Sequence, residues 1–230
     1  MKNLILIFLV LFSLQSNAQN RWFTTYSDSV ALKTDAVKIV NQFKQKVKSA
    51  NPTIKLDDWK VVKNTSPYLI YIENKTVNLP LWQEVIPQQK DFFAEVAEGK
   101  EQGREVFGLF FNGFYLVHEL GHGLTEDAEK KFGNAYDSEY DANTIAILYW
   151  RNIGEKKNLK KCYTYAKKML KHLKNPVPAN ENFKEYMSKH YQELSSDPYK
   201  YGYIQFSQFV EIYENKNLPD FVTFIKKYGK

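Results

Sequence analysis

His118-Glu119-Leu120-Gly121-His122 sets two imidazoles four residues apart inside the apolar run from Phe114 to His122. Four residues advance a helix by slightly more than one turn, so both rings stand on the same face. Two histidines placed that way can hold one zinc ion. Glu119, one residue further round, lies where a carboxylate can act on a water beside the ion. The chain has only 4 histidines in 230 residues, and two of them make this motif.

A third ligand is expected downstream. Glu139 comes seventeen residues after His122, in the run Asp137-Ser138-Glu139-Tyr140-Asp141-Ala142-Asn143 that opens a second apolar helix toward Trp150. A carboxylate from its first turn completes a His, His, Glu set and leaves a fourth position for water or substrate, the arrangement of a catalytic zinc site. Glu126, Asp127 and Glu129 are rivals, but they follow His122 so closely that the chain would have to double back at once. Asn143 shares the helical face of Glu139. Its oxygen can accept the outer N–H of a ligand histidine and fix the ring, or the residue can simply pack between helices. A three-histidine pattern fails by counting, because Thr125 and Ala128 stand where it needs Gly and His.

Metal-assisted hydrolysis of a peptide bond follows from such a site, with Glu119 as general base. Negative charge then builds on the attacked carbonyl oxygen, and a hydroxyl or imidazole opposite the metal stabilises it. The aromatic stretch Pro198 to Phe206 offers Tyr201 and Tyr203 as first candidates, with His172 and His190 behind them; aromatic packing is the competing account of each. A zinc-containing binding or regulatory module that turns nothing over is the rival reading. Glu119 favours the enzyme, since a structural zinc site has no need of a base.

His-Glu-Leu-Gly-His followed by Glu139-x-x-Ala142-Asn143 resembles the gluzincins, zinc peptidases with a glutamate third ligand. The downstream spelling is similar to that of the ImmA/IrrE-type peptidase family, whose pattern is Glu-x-Glu-Ala-Asn; Asp141 here takes the place of its second glutamate. The likeness covers roughly residues 114–150. It implies a zincin-like fold, a Zn2+ cofactor held by His118, His122 and Glu139, and a peptide or protein substrate. A bond in cell-wall peptide is a further reading that neither the sequence nor the resemblance separates from protein. The resemblance also suggests, by analogy, that an edge strand within residues 68–78 pairs with extended substrate, with simple core packing the default account of that strand. Those relatives are intracellular, whereas this chain reads as exported.

The elements that must position these residues follow from periodicity. Ala36, Val37, Val40, Phe43 and Val47 are spaced for one face of a helix over 34–50, which Asn51-Pro52 ends. Ile54 to Val62 predicts a first strand and Tyr68 to Ile72 a second, with Asn74-Lys75 turning the chain toward Val77. Residues 83–98 predict one helix or two short pieces broken near Pro87 and stopped by Gly99. Residues 104–122 predict the motif helix, with Gly121 allowing a close backbone approach and Gly123 ending it at positive φ. A polar loop over 125–137 carries the chain back to Glu139. Helices near 159–173, 181–194, 205–215 and 218–229 complete an α+β chain that is mainly helical, with a small N-terminal sheet ahead of the motif helix.

Lys2, the apolar run Leu4 to Leu14 and the small residues Ser16 and Ala18 predict a secretory signal peptide over 1–18, leaving 19–230 as a single domain outside the cytoplasm, secreted or periplasmic. The apolar run is too short to span a bilayer, which takes about 20 residues, and no Cys near the cleavage point offers a lipid anchor. The single Cys162 excludes an internal disulfide and falls among lysines on a helical stretch, where it reads as a packed thiol. The formal charge of +6 drops to +5 without Lys2, and its cations are scattered lysines with only Arg21, Arg104 and Arg151 as arginines. Nucleic-acid readers cluster arginine among aromatics, so this chain is not expected to be one. The lysines from Lys156 to Lys168 suit a solvated helix face better than a polyanion site.

Overall fold

The computed structural model describes residues 22–229, so the signal peptide expected over 1–18 lies outside the described residues. Helix α1 spans Ser29–Ala50 and begins five residues earlier than the apolar pattern suggested. The reason is a cap: Asp28 accepts from the backbone N–H groups of Val30 and Ala31, which are among those left unsatisfied at a helix start. Leu32, Ala36, Ile39, Val40, Phe43 and Val47 form its buried stripe.

The sheet has three short strands, β1 (Lys60–Lys63), β2 (Tyr71–Glu73) and β3 (Thr76–Leu79), in the order β1-β3-β2. β1 runs parallel to β3, and β2 runs antiparallel to it with Ile72 opposite Val77. The expected first strand over Ile54 to Val62 shrinks to its last part. Asn74 and Lys75 both take positive φ (46° and 59°), the conformation of a tight two-residue hairpin turn.

Beyond the sheet, all regular structure among the described residues is helical. A short 3-10 turn at Trp82–Glu84 precedes α2 (Pro87–Val96), which starts on its proline, and Gly99 at φ 150° separates it from α3 (Lys100–Leu109). α3 continues through a π-helical segment, Phe110–Phe114, into α4 (Tyr115–Asp127), which carries the motif. The wider turn re-phases the faces of the rod just ahead of His118. α5 (Ala135–Asn152) opens on Asn134, whose side chain accepts from Asp137 N–H. α6 (Lys156–Met169), α7 (Phe183–Lys189), α8 (Tyr191–Ser195), α9 (Pro198–Glu214) and α10 (Phe221–Lys226) follow. The helix expected over 181–194 is thus split at His190. The one expected over 205–215 begins at Pro198, so the aromatic stretch is its first half.

Gly123 does not end the motif helix, which runs on to Asp127 with the glycine buried. A Cβ there would sit 3.0 Å from Ile72 Cδ1 and 3.3 Å from Trp59 Cε2, so the glycine is there for close packing against the sheet side. Gly121 matches its expectation: a Cβ would sit 3.1 Å from Ala142 Cα of α5. The two glycines flank His122, and each lets one neighbour come near. α5 is buried continuously from Asp141 to Trp150, as befits a helix at the centre of the molecule. The fold is therefore α+β, mainly helical with one small sheet. No helix among the described residues is long and apolar enough to cross a membrane.

Candidate metal centre

Close packing of α4 on α5 brings His118, His122 and Glu139 together, with one ligand atom from each lying within 4.8 Å of the others. His118 Nε2 is 3.1 Å from His122 Nε2 and 3.3 Å from Glu139 Oε2, and His122 Nε2 is 3.8 Å from the same oxygen. Two imidazole nitrogens and one carboxylate oxygen converging on a point, two of the three residues buried, make a group that can hold a metal ion. The rival carboxylates are elsewhere. Asp127 and Glu126 engage Lys75 at 2.7 and 3.0 Å, tying the hairpin turn to the end of α4, and Glu129 is absent from the cluster.

His118 and Glu139 are each held from behind. His118 Nδ1 meets Asn143 Oδ1 at 2.9 Å, the contact the shared helical face of Glu139 and Asn143 suggested. Tyr191 O–H donates to Glu139 Oε1 and Gln205 Nε2 donates to Oε2, both at 2.8 Å. Burial alone would raise the Glu139 pKa. The His118 hydrogen bond and the charge of His122 outweigh it and hold the carboxyl well below the usual carboxylate range. His122 is the reciprocal case: burial acts to lower it, yet the hydrogen bond and charge of Glu139, aided by Glu119 and Asp141, carry it up to about 9.

Glu119 behaves differently. It is buried beside the cluster, and Ile72 N–H donates to its Oε2 at 3.1 Å. Because β2 is an edge of the sheet, that N–H has no strand partner on its outer side. Burial pushes the Glu119 carboxyl up, with the charges of His118 and His122 pulling the other way. The two carboxylates of one site are thus driven apart, Glu119 toward the protonated form and Glu139 toward the ionised one.

Of the two tyrosines the sequence nominates, Tyr201 is linked to the site and Tyr203 turns elsewhere. Tyr201 O–H accepts from Gln205 Nε2 at 2.8 Å, whereas the Tyr203 ring faces Phe183 with centroids 6.4 Å apart. His172 pairs with Glu98 at 2.7 Å and His190 stacks on Tyr186 at 4.4 Å, so neither joins the cluster. Tyr191, Gln205 and the Ile72 N–H are participants that no spacing in the sequence marks. No family model, no curated protein and no solved structure matches the chain.

Proposed function

We propose that this protein is an exported zinc-dependent peptidase with a zincin-like, gluzincin-type site. One observation carries the reading: Glu119 is held by the Ile72 N–H beside three convergent ligands, two on its own helix and one on α5. A two-imidazole, one-carboxylate set suits zinc, and three protein ligands leave a position for water or substrate. His118, His122 and Glu139 would hold the zinc, which would supply Lewis acidity toward a water and the scissile carbonyl.

The chain's own groups do the rest. Glu119 uses Oε2 for Ile72, which leaves Oε1 to take the water's proton and pass it to the leaving amine. Its upward-shifted carboxyl suits a group that must hold a proton between two steps. Tyr191 is only partly buried, but its single O–H proton goes to Glu139 Oε1. It would serve the carbonyl oxygen that gains charge only by turning that proton away from the carboxylate; Tyr201 stands behind it through Gln205. The signal peptide read over residues 1–18 puts the activity outside the cytoplasm.

The test is mass-spectrometric cleavage profiling of a mixed peptide library by zinc-loaded residues 19–230, beside a Glu119→Gln protein shown to hold the same metal. The expected result is cleavage by the first and a loss of at least about 100-fold in the second, the scale of general-base catalysis. Zinc bound by both with cleavage by neither would favour the non-catalytic zinc module. Failure of the wild-type chain to bind zinc would refute the site.

A further inference from the structure

We infer that Gln205, assisted by Gln208, is a positioning residue through which the third ligand, Glu139, dictates the tautomer of the first, His118. The inference rests on the metal-site reading above, and it comes from following hydrogen-bond polarity through three buried amides. As a ligand Glu139 is ionised, and a carboxylate only accepts. Gln205 must therefore turn its NH2 toward Glu139 Oε2, 2.8 Å away, and its second N–H goes to Tyr201 O–H at 2.8 Å. That leaves Gln205 Oε1 facing Asn143, so Asn143 must present its own NH2 there, at 3.0 Å. The other Asn143 N–H goes to Gln208 Oε1, also at 3.0 Å.

Gln208 fixes the same orientation from the opposite end. Its Nε2 donates at 3.2 Å to the backbone carbonyl of Tyr136, which is likewise an acceptor only. Two independent acceptors, a carboxylate and a carbonyl, thus force Asn143 Oδ1 toward His118. That oxygen can only accept, so the neutral ring must carry its proton on Nδ1 and leave Nε2 bare; only the doubly protonated ring also gives Glu139 an Nε2–H bond. Nε2 is the atom that faces Glu139 and His122.

Reversing any one amide would set oxygen against oxygen. With Asn143, Gln205 and Gln208 at 0%, 4% and 1% exposure, solvent water has almost no access to relieve it. α9 thereby prepares His118 for the metal before any metal arrives, and it does so from residues 62 and 65 positions beyond Asn143. Partners that orient metal-bound histidines commonly change metal affinity 10- to 100-fold when removed.

The test uses the mature chain, residues 19–230, with Gln205→Leu and Gln208→Leu. Zinc affinity is read by chelator competition at a temperature where thermal melts show each protein folded. The His118 tautomer is read from ring 15N shifts of metal-free protein at a pH where the ring is neutral. The expected wild-type ring is a single Nδ1–H tautomer. Gln205→Leu removes the donor to Glu139 and is expected to weaken zinc binding by about 10- to 100-fold, while Gln208 still anchors Asn143. The tautomers are expected to mix when both glutamines are replaced together. Gln208→Leu should do less, because Asn143 keeps Gln205 and Glu139 keeps its donor.

A wild-type ring protonated on Nε2, or a folded Gln205→Leu protein with unchanged zinc affinity, would overturn the inference. A role confined to stability would shift the melts without moving either readout, and that too would overturn it. Should Gln205→Leu not fold, the wild-type tautomer still decides. A wild-type chain that binds no zinc would refute the metal-site reading, while the ring on that same metal-free chain would settle this one separately.

Discussion

Two buried carboxylates that both interact with the same pair of histidines are pushed in opposite directions, and their hydrogen bonds explain the contrast. Glu139 meets both imidazoles and two side-chain donors, whereas Glu119 meets one backbone N–H in a low-dielectric setting. Shortening Glu119 to Asp should draw the carboxylate away from Ile72 and from the water. Turnover is expected to fall by about 100-fold or more while the metal content by mass spectrometry is unchanged. Cys162 is the other buried reactive group, and burial pushes its thiol up. Its Sγ–H reaches Leu109 O at 3.8 Å on the inward face of α6, so iodoacetamide is expected to leave native protein unmodified and to label it stoichiometrically in urea. The histidine pair, Glu139 and Asn143 could be read from sequence because their i,i+4 spacings are themselves geometry. Gln205 and Gln208 could not, since three residues apart on a helix is an ordinary solvent-face pattern and only burial reveals their work. Tyr201 and Tyr203 show the same limit: two residues apart on α9 they point about 200° apart, so one cannot follow the other into the site.

Among the elements, the α4–α5 contact decides whether the three ligands meet. A methyl at Gly121 must displace Ala142 Cα, a backbone atom of a buried helix that has little freedom to give. Gly121→Ala gains about 1 kcal/mol in helix propensity, so its melting temperature is expected to change little. Its zinc affinity is expected to fall several-fold, because Glu139 rides on the displaced helix. Gly108→Ala differs: the added carbon would lie 2.5 Å from Thr25 N and 2.7 Å from Thr24 C, an overlap with backbone. Here the overlap outweighs propensity, with an expected loss on the order of 1–3 kcal/mol in urea unfolding and unaltered zinc binding. A π-helical segment inside the rod and a helix that runs straight past Gly123 have no local signature. Glycine near a helix end usually means termination, and only the nearby Ile72 and Trp59 side chains show that packing is its purpose here. β1 is shorter than its apolar run for a related reason. Ile54 and Leu56 are apolar because they cover the core from irregular backbone, and short apolar runs carry no mark of strand pairing.

At the scale of the whole molecule, both ends of the described chain are fastened onto the rod and helix that build the site. Trp22 and Phe23 pack on Trp150 near the end of α5, with ring centroids 6.3 and 4.6 Å away. The carboxyl-terminal segment closes the opposite side: Phe221 and Ile225 are buried, and Asn51 Nδ2 donates to the carbonyls of Ile225 and Tyr228. Tyr228 O–H then bridges Asp141 of α5 and Thr125 of α4, so one hydroxyl stitches together the two helices that carry the ligands. Tyr228→Phe removes that bridge without leaving a cavity. Asp141 keeps Lys130 at 2.7 Å, so no carboxylate is stranded. The loss is therefore that of a buried hydrogen-bond donor, about 1–3 kcal/mol of unfolding free energy, read as a lower urea midpoint at an unchanged slope. Zinc held at the proposed site would bind the folded state and not the unfolded chain, so added zinc should raise the midpoints of wild type and variant alike, and a chelator should reverse both. Equal zinc-induced increments in the two proteins would show that the clasp stabilises the α4–α5 pair as a whole and does not tune the site. A smaller increment in Tyr228→Phe would show that Asp141, two residues beyond Glu139, transmits the clasp directly to the ligand.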